Sequence, residues 1–268
     1  MKALNVFKDL VAFLTIIPLT KEESFVKTSA KYMFLFPLVG GIIGLFAAAY
    51  FQFCTSLLSL FMPILQRLLG ARGGILTRVF SSGATLSFLL VLTGLQHFDG
   101  LVDLGNALGF EKLEERRFAA HAWIVTYKGA FLAAFVEFLA FLGIFLTDFN
   151  LVFKALICAE VSAKLAMFTM AWFGKPAYSG LGELFVKLNK GSKLIALSYA
   201  ISFLIIFPLF GFSSIIFLLI SFFAGFSLEK LSERIFGGTS GDVLGATNEM
   251  VRAICLLAVA GGIVSWSF

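Results

Sequence analysis

The chain has 268 residues, of which 59% are hydrophobic and only 14% are charged, and its mean hydropathy is +0.96. Soluble domains average roughly 45–50% apolar and about 25% charged residues, so this composition excludes an ordinary soluble globule, a disordered chain and a disulfide scaffold. It predicts an integral membrane protein. The net charge of +5 is too small to indicate nucleic-acid binding, and three scattered cysteines fit neither a disulfide framework nor a zinc site.

The N-terminal 31 residues differ from the rest of the chain. Apolar residues recur there at helical spacing on one face, at Leu4, Phe7, Leu10, Val11 and Leu14. Pro18 ends this pattern. Since most charged residues lie off the apolar face, the segment predicts an amphipathic helix at the membrane interface.

Apolar stretches between charged residues predict the membrane spans, because one span needs about 20 mostly apolar residues. The stretches of this length cover residues 32–66, 78–99, 128–148, 154–175, 193–229 and 252–268. Pro208 and Gly211 interrupt the fifth stretch near its middle, which predicts two helices joined by a tight hairpin. The simplest count is therefore seven spans, or eight if residues 32–66 divide near 54–59.

The basic residues predict the orientation of these spans. With seven spans and the N-terminus inside, 16 of the 21 basic residues fall in four inner segments, which are 1–31, 98–128, 174–193 and 230–252. Because cytoplasmic loops carry an excess of Lys and Arg, these segments are predicted to face the cytoplasm. We therefore predict an all-α, polytopic transmembrane bundle in the cell membrane, with a single domain over residues 1–268.

A polar stretch follows the second span, at 96–109 (QHFDGLVDLGNALG). On a helix Asp99 and Asp103 are four residues apart, and Gln96 and Asn106 fall on the same face. Two carboxylates at this spacing repel each other unless a cation lies between them, and oxygen ligands suit Mg²⁺ bound to a phosphorylated substrate. The alternative is that both aspartates only solvate a helix end. The three glycines predict close approach to another backbone or to a ligand.

A second stretch, 237–249 (GGTSGDVLGATNE), is a glycine-rich loop that leads into the last apolar segment. Backbone amides of such a loop, followed by a helix N-terminus, form an anion site. Asp242 and Glu249 are seven residues apart and share a helix face with Gly245. The alternative is a flexible turn in which Ser240 or Asp242 only caps the helix. Because both stretches are predicted on the cytoplasmic side, they are expected to build one site.

Other charged residues are less specific. Arg116 and Arg117 lie in a charged segment that is typical of a solvated helix. The alternative is that they contact phosphate. Glu160 and Lys164 are four residues apart inside a span, where they can pair. Together with Glu137, they are the intramembrane ionisable groups that a transporter would use.

Four stretches in order along the chain carry a resemblance to a known family. They are AFLTIIP at 12–18, FPLVG at 36–40, TGLQHFDGLVD at 93–103, and GGTSGDVLGATNE at 237–249. The chain resembles the cobalamin-5′-phosphate synthases, also called adenosylcobinamide-GDP ribazoletransferases. The last two stretches are the specific ones, and the resemblance covers essentially the whole chain.

The resemblance implies a Mg²⁺-dependent membrane enzyme of late cobalamin biosynthesis. Such an enzyme transfers adenosylcobinamide phosphate from adenosylcobinamide-GDP to α-ribazole or its 5′-phosphate, and GMP leaves. The implied partners are these substrates and the lipid bilayer, without nucleic acid, and a homo-oligomer is compatible with the sequence.

Pattern and resemblance together predict the site residues. The predicted Mg²⁺ ligands are Asp99, Asp103, Asn106 and Asp242. The predicted catalytic residues are Asp99, Asp103, Asp242 and Glu249, with Asp242 or Glu249 as the base that orients the ribose hydroxyl. The predicted substrate or phosphate contacts are His97, Gly238, Ser240, Gly241, Asn248, Arg116 and Arg117.

Two positions depart from the family pattern. In its H-x-D-G-x-x-D-x-x-D motif, Asn106 replaces the third acid, and Ala122 stands where a Met-Lys-Asp run would place its Asp. The motif positions that match are His97, Asp99, Gly100 and Asp103. Three alternatives therefore stay open: another Mg²⁺-dependent membrane transferase for a nucleotide-diphosphate-activated alcohol, a non-catalytic paralogue, and a transporter.

Overall fold

The computed structural model describes residues 2–20, 25–70, 72–122 and 124–263, and these are helical almost throughout. The α-helices are α1 (Lys2–Leu14), α2 (Phe25–Lys31), α3 (Phe36–Ser59), α4 (Met62–Leu69), α5 (Arg72–Leu92), α6 (Gln96–Ala107), α7 (Leu113–His121), α8 (Tyr127–Leu146), α9 (Phe149–Phe173), α10 (Leu181–Leu188), α11 (Ser192–Phe210), α12 (Ser214–Phe236) and α13 (Gly241–Ala260). The predicted all-α class is confirmed.

Helix α9 forms the centre of the bundle. Its residues from Ala155 to Ala171 are all buried, and α3, α11, α12 and α13 pack around it. The contact with α3 is close because glycine lies there: a Cβ atom at Gly44 would stand 2.6 Å from the Ile157 Cα. Small residues at such a crossing let two backbones approach inside a membrane.

Five segments of the described chain are long and apolar enough to cross a membrane. They are Met33–Ser59, Gly73–Leu92, Tyr127–Leu146, Ser192–Phe236 and Gly241–Ala260. Large apolar side chains face outward from them, and Leu204 and Phe131 are each 70% exposed. Soluble monomers rarely expose so much contiguous apolar surface. The fold is that of a multi-pass membrane protein.

The predicted hairpin and the predicted N-terminal helix are both present. The 45-residue segment Ser192–Phe236 contains α11 and α12, which join through a 3-10 turn at Gly211–Ser213. Helix α1 ends at Leu14, before Pro18, and buries Leu10, Val11 and Leu14. Helix α3 ends at Ser59, and the stretch 32–66 divides there, before the eight-residue α4 begins at Met62. The count of seven spans and the interfacial position of α1 stay predictions.

Two boundaries correct the sequence prediction. The last helix begins at Gly241 rather than near Arg252, so Arg252 is fully buried inside the bundle and not in a loop. Helix α6 does not continue α5, because Gly94 and Leu95 adopt left-handed conformations with φ of 66° and 59°. The turn lets α6 leave α5 and pack against α8 and α13.

The short helices α1 and α7 contact the ends of α5 and α12 at one end of the bundle. The Ile16 amide after α1 donates to the Leu92 carbonyl at the end of α5 (2.8 Å). The Arg117 side chain of α7 donates to the Phe236 carbonyl at the end of α12 (2.7 Å). Both polar stretches lie at this end, as predicted. That this end faces the cytoplasm stays a prediction.

Candidate active site

Helix α6 holds its aspartates against two neighbouring helices. A Cβ atom on Gly100 would overlap the Asp242 carbonyl oxygen of α13, and one on Gly105 would lie 2.6 Å from the Gly129 Cα of α8. The close approach predicted from the glycines of this stretch is therefore confirmed at these two. It brings the face that bears Asp99 to the N-terminus of α13.

The glycine-rich loop fixes Asp242 in the first turn of α13. The Ser240 Oγ accepts a hydrogen bond from the Val243 amide at 3.3 Å and caps the helix, as one of the two sequence alternatives predicted. The Thr239 amide donates to the Lys175 carbonyl (2.7 Å), and Gly238 packs tightly on the same segment. These contacts give Gly238 and Ser240 a structural role, while Gly241 stays at a cavity wall.

Three aspartates converge on two neighbouring cavities. A cavity of about 390 Å³, here called the acidic cavity, is lined by Asp99, Asp103, Asp242, His121 and Ala122 among others. A second cavity of about 410 Å³, here called the aromatic cavity, is also lined by Asp99 and Asp242 but is otherwise mostly apolar. Since these two aspartates line both cavities, they mark the boundary between them.

The charge of this group is not balanced within the described chain. None of the three aspartates forms an ion pair with a described residue. Burial, together with the negative charges of Asp242 and Asp99, raises the pKa of Asp103 from 3.8 to about 7. A cation in the acidic cavity would relieve this repulsion and favour the ionised carboxylates.

Tyr178 orients Asp242, and sequence reasoning did not find it. Its hydroxyl, on the segment between α9 and α10, donates to Asp242 Oδ2 at 3.3 Å. Burial and the Asp242 charge raise the Tyr178 pKa, so the hydroxyl keeps its proton and stays a donor. The ring meets His121 edge-on at a centroid distance of 5.2 Å, and the Arg117 guanidinium lies 5.5 Å from its centroid. No sequence pattern links this tyrosine to the site.

His97 lies at the aromatic cavity, beside Asp99. It is 6% exposed, and its Nε2 atom has no described hydrogen-bond partner. Burial and the positive charges of Lys164 and Arg252 lower its pKa well below 6.5, so the imidazole is neutral at pH 7. The ring therefore lines the cavity, but its Nε2 atom is buried, so the predicted substrate contact of His97 stays a prediction.

Asn106 is engaged inside the bundle, although it was predicted to bind the metal. Its Oδ1 accepts hydrogen bonds from the Thr126 amide (2.9 Å) and hydroxyl (2.8 Å), and its Nδ2 donates to the Ile124 carbonyl (2.8 Å). It is fully buried and lines neither cavity. Because these hydrogen bonds already use both polar atoms of the Asn106 amide, the geometry disfavours metal binding there. The side chain instead holds the start of α8.

Glu249 and Asn248 are held away from both cavities. Glu249 pairs with Arg252, which also pairs with Glu160. Asn248 donates to Glu249 at 3.0 Å and accepts from Lys164 at 2.6 Å. The predicted pair of Glu160 and Lys164 is present at 3.4 Å within this buried ionic network. These contacts speak against the predicted roles of Glu249 as a base and of Asn248 as a substrate contact.

Arg116 and Arg117 bind backbone carbonyls instead of facing the cavities. Arg116 donates to the carbonyls of Phe110 (2.8 Å) and Arg234 (3.2 Å), and Arg117 donates to those of Ala177 and Phe236 (both 2.7 Å). Neither guanidinium lines the acidic or the aromatic cavity. They fasten α7 to the end of α12, which speaks against the predicted phosphate contacts.

The carboxylates of the acidic cavity would form only part of a Mg²⁺ site. No group of three or more His, Cys, Asp or Glu among the described residues is close enough to enclose a metal ion. Mg²⁺ usually keeps several waters and binds through one or two carboxylates plus substrate phosphates. The unpaired Asp99 and Asp103, with the raised pKa of Asp103, match that partial ligand set.

Comparisons with known proteins give one consistent result. The family model described as cobalamin-5-phosphate synthase matches residues 6–260. An adenosylcobinamide-GDP ribazoletransferase of Clostridium kluyveri is 30% identical, with 95% of each chain covered. Those of Methanococcoides burtonii and Thermodesulfovibrio yellowstonii are each 28% identical and cover 94% and 98% of this chain and 90% and 98% of their own lengths. No solved structure gives a significant match.

Proposed function

The chain belongs to the cobalamin-5-phosphate synthase family, and we propose that it is an adenosylcobinamide-GDP ribazoletransferase. It would transfer adenosylcobinamide phosphate from adenosylcobinamide-GDP to α-ribazole or its 5′-phosphate and release GMP. The observation that carries this proposal is the convergence of Asp99, Asp103 and Asp242 where two cavities meet. Such a boundary suits a reaction that joins two separate substrates.

The proposed step forms one bond and breaks another at a single phosphorus. A ribose hydroxyl of the acceptor attacks the phosphorus that is attached to the corrinoid arm, the P–O bond to GMP breaks, and GMP leaves. Asp242 accepts the hydroxyl proton, because it lies at the boundary and Tyr178 fixes its orientation. Glu249 takes no part, since Arg252 holds it in the buried network.

We propose that Asp99 and Asp103 hold Mg²⁺ together with the diphosphate. The ion would neutralise the negative charge that develops on the diphosphate and on the leaving phosphate. Asp99 and Asp103 would place this ion next to Asp242, which lines the same cavity.

The transporter alternative has less support. It would depend on Glu137, Glu160 and Lys164, but none of them lines either cavity, and Glu160 and Lys164 are fully buried in the ionic network. The names of the relatives favour the ribazoletransferase over another membrane transferase.

We further propose that the site end faces the cytoplasm of the cell membrane. With Arg252 removed from the count because it is buried, 15 of the 21 basic residues still lie in the segments predicted to be cytoplasmic. A cytoplasmic site would also meet its soluble nucleotide substrate directly.

The test is GMP release by the purified full-length protein, given adenosylcobinamide-GDP, α-ribazole and Mg²⁺. We expect Asp99→Asn, Asp103→Asn and Asp242→Asn each to lower turnover by at least about a hundredfold, because each removes charge from the reacting centre. The matched control is Asp148→Asn at the start of α9, which lines neither cavity. Absence of GMP release by the wild-type protein would favour a non-catalytic paralogue.

A further inference from the structure

The aromatic cavity is the feature that the proposed chemistry leaves unused. Four phenylalanines from four helices line it: Phe13 of α1, Phe25 of α2, Phe36 of α3 and Phe185 of α10. The Phe13 ring centroid lies 6.4, 5.9 and 5.1 Å from those of Phe25, Phe36 and Phe185, so the rings form one cluster. No spacing in the sequence predicts that these four rings meet.

Two of the four stretches that carry the family resemblance contain no ionisable residue, and each of them supplies one of these rings. Phe13 lies in 12–18 and Phe36 in 36–40. The proposed transfer uses neither stretch, since its groups come from α6, α13 and the segment that bears Tyr178. In the structure both stretches contribute a ring to the wall of the same cavity.

The opposite side of the aromatic cavity is polar and belongs to the reacting centre. Asp99 and Asp242 line it there, together with Gln96 and His97. The cavity therefore has an apolar, ring-lined part and a polar part at the boundary. A ligand that suits both parts has a flat apolar group joined to a hydroxyl-bearing group.

We propose that the aromatic cavity binds the acceptor, with the benzimidazole base of α-ribazole against the phenylalanine cluster and its ribose at Asp99 and Asp242. This inference rests on the proposed function and assigns the acceptor a place within it. The donor diphosphate then occupies the acidic cavity, so the two substrates reach the boundary from opposite sides. Asp242 lies where the ribose hydroxyl meets the phosphorus.

The size of the cavity selects between the two substrates. Its volume of about 410 Å³ lies in the lower part of the range of about 300–1,000 Å³ found for sites that enclose small organic ligands. A nucleoside fits such a space. The corrinoid ring with its side chains is several times larger than a nucleoside, so it must remain outside.

The chemistry of the wall selects between the two heterocycles. Guanine, in the donor, carries several hydrogen-bond donors and acceptors, and their burial without partners is costly. The dimethylbenzimidazole base has an apolar face and edge and lacks N–H donors. Phenylalanine rings stack on such a base and gain from excluding water, so the aromatic cavity favours the acceptor over the guanine of the donor.

The experiment fills the cavity without removing a core contact. Ala12 lines the aromatic cavity on α1, and Ala12→Phe would occupy the space of the base. We expect this variant to raise the KM for α-ribazole by at least about tenfold, with the KM for adenosylcobinamide-GDP within about twofold. Equilibrium dialysis of α-ribazole against the purified protein should show the same loss of affinity without turnover.

Two further variants complete the test. Ala3→Phe makes the same change at an exposed position of the same helix that does not line the cavity, and it should leave both KM values unchanged. Phe13→Ala removes a ring and should also weaken α-ribazole binding. A rise in the KM for adenosylcobinamide-GDP alone, or unchanged α-ribazole binding in Ala12→Phe, would overturn the inference. Failure of the proposed function is distinct, because it would show as α-ribazole binding without GMP release.

Discussion

Asp103 illustrates how the surroundings of one residue set its chemistry. It lies on the same α6 face as Asp99, and burial together with the charges of Asp242 and Asp99 raises the pKa of its carboxyl to about 7. A metal ligand with such a pKa binds more weakly as the pH falls, because a proton competes with the ion. If Asp103 binds Mg²⁺ as we propose, its pKa couples metal binding to pH.

The free energy of unfolding of the metal-free protein should depend on pH because of Asp103. Between its unfolded pKa near 3.8 and its folded pKa of about 7, the folded chain keeps a proton that the unfolded chain has released. The free energy of unfolding therefore falls as the pH rises through this window, and the penalty is complete above it. We expect Asp103→Asn to lack this part of the pH dependence.

The measurement is the melting temperature in detergent with a chelator, at several pH values between 4 and 8. Because other carboxyl groups also titrate, the informative quantity is the difference between the wild type and Asp103→Asn. Mg²⁺ should stabilise the wild type most at the high end of this range. A difference that does not change with pH would contradict the assignment.

At the scale of elements, the site depends on how closely three helices approach. Helix α6 meets α13 at Gly100 and α8 at Gly105, with no room for a side chain at either crossing. The cap formed by Ser240 fixes where α13 begins, and that start determines where Asp242 lies. A small shift of α6 would separate Asp99 and Asp103 from Asp242.

Gly100→Ala should therefore impair activity by moving α6. Its Cβ atom would overlap the Asp242 carbonyl oxygen, and relief requires the two helices to separate. Overpacking of this kind costs about 1–3 kcal/mol, so we expect a lower melting temperature and at least about tenfold slower GMP release. Gly74→Ala on α5 is the control, since its Cβ would meet no described atom within 4 Å. An active and stable Gly100→Ala protein would show that the crossing tolerates a methyl group.

The sequence predicted much of this arrangement because scarce polar residues stand out in an apolar chain. Asp99, Asp103 and Asp242 were found in this way, and the structure brings all three together. The same pattern could not separate Asp242 from Glu249, because seven residues along one helix share a face but span about 10 Å of depth. One acid reaches a cavity, and the other reaches the buried network.

Other parts of the site depend on distant segments that have no local signature. Tyr178 reaches Asp242 from the segment after α9, and Phe185 reaches Phe13 from α10. In a chain with 34 phenylalanines, the few that line a cavity cannot be told from those that face lipid. Their proximity follows from the tertiary packing alone.

At the scale of the whole molecule, a buried ionic network joins α9 and α13. Arg252 pairs with Glu160 of α9 and with Glu249 of its own helix, and Lys164 bonds to Asn248. All five groups are at most 1% exposed. Inside a membrane bundle such a network is stable only when every charge keeps its partner.

Arg252→Met should destabilise the protein strongly while preserving side-chain volume. Loss of Arg252 leaves Glu249 without its ion pair and Glu160 with Lys164 alone, and removing one partner of a buried pair typically costs about 3–5 kcal/mol. The addition of Glu249→Gln to this variant should recover part of the loss. The measurement is unfolding in detergent, and the control is Lys187→Met, which removes an exposed pair with Glu183 and should have little effect. Equal stability of the two single variants would contradict the assigned role.

The position of this network in the chain also bears on biosynthesis. Helix α9 carries Glu160 and Lys164, and Arg252 belongs to α13, which begins about 80 residues after Glu160 and is synthesised later. Until α13 arrives, Glu160 has only Lys164 as a charged partner, and the bundle is incomplete around its most polar layer. Helix α13 thus completes the network, so truncation before Arg252 should leave an inserted but unassembled chain that membrane quality control can remove.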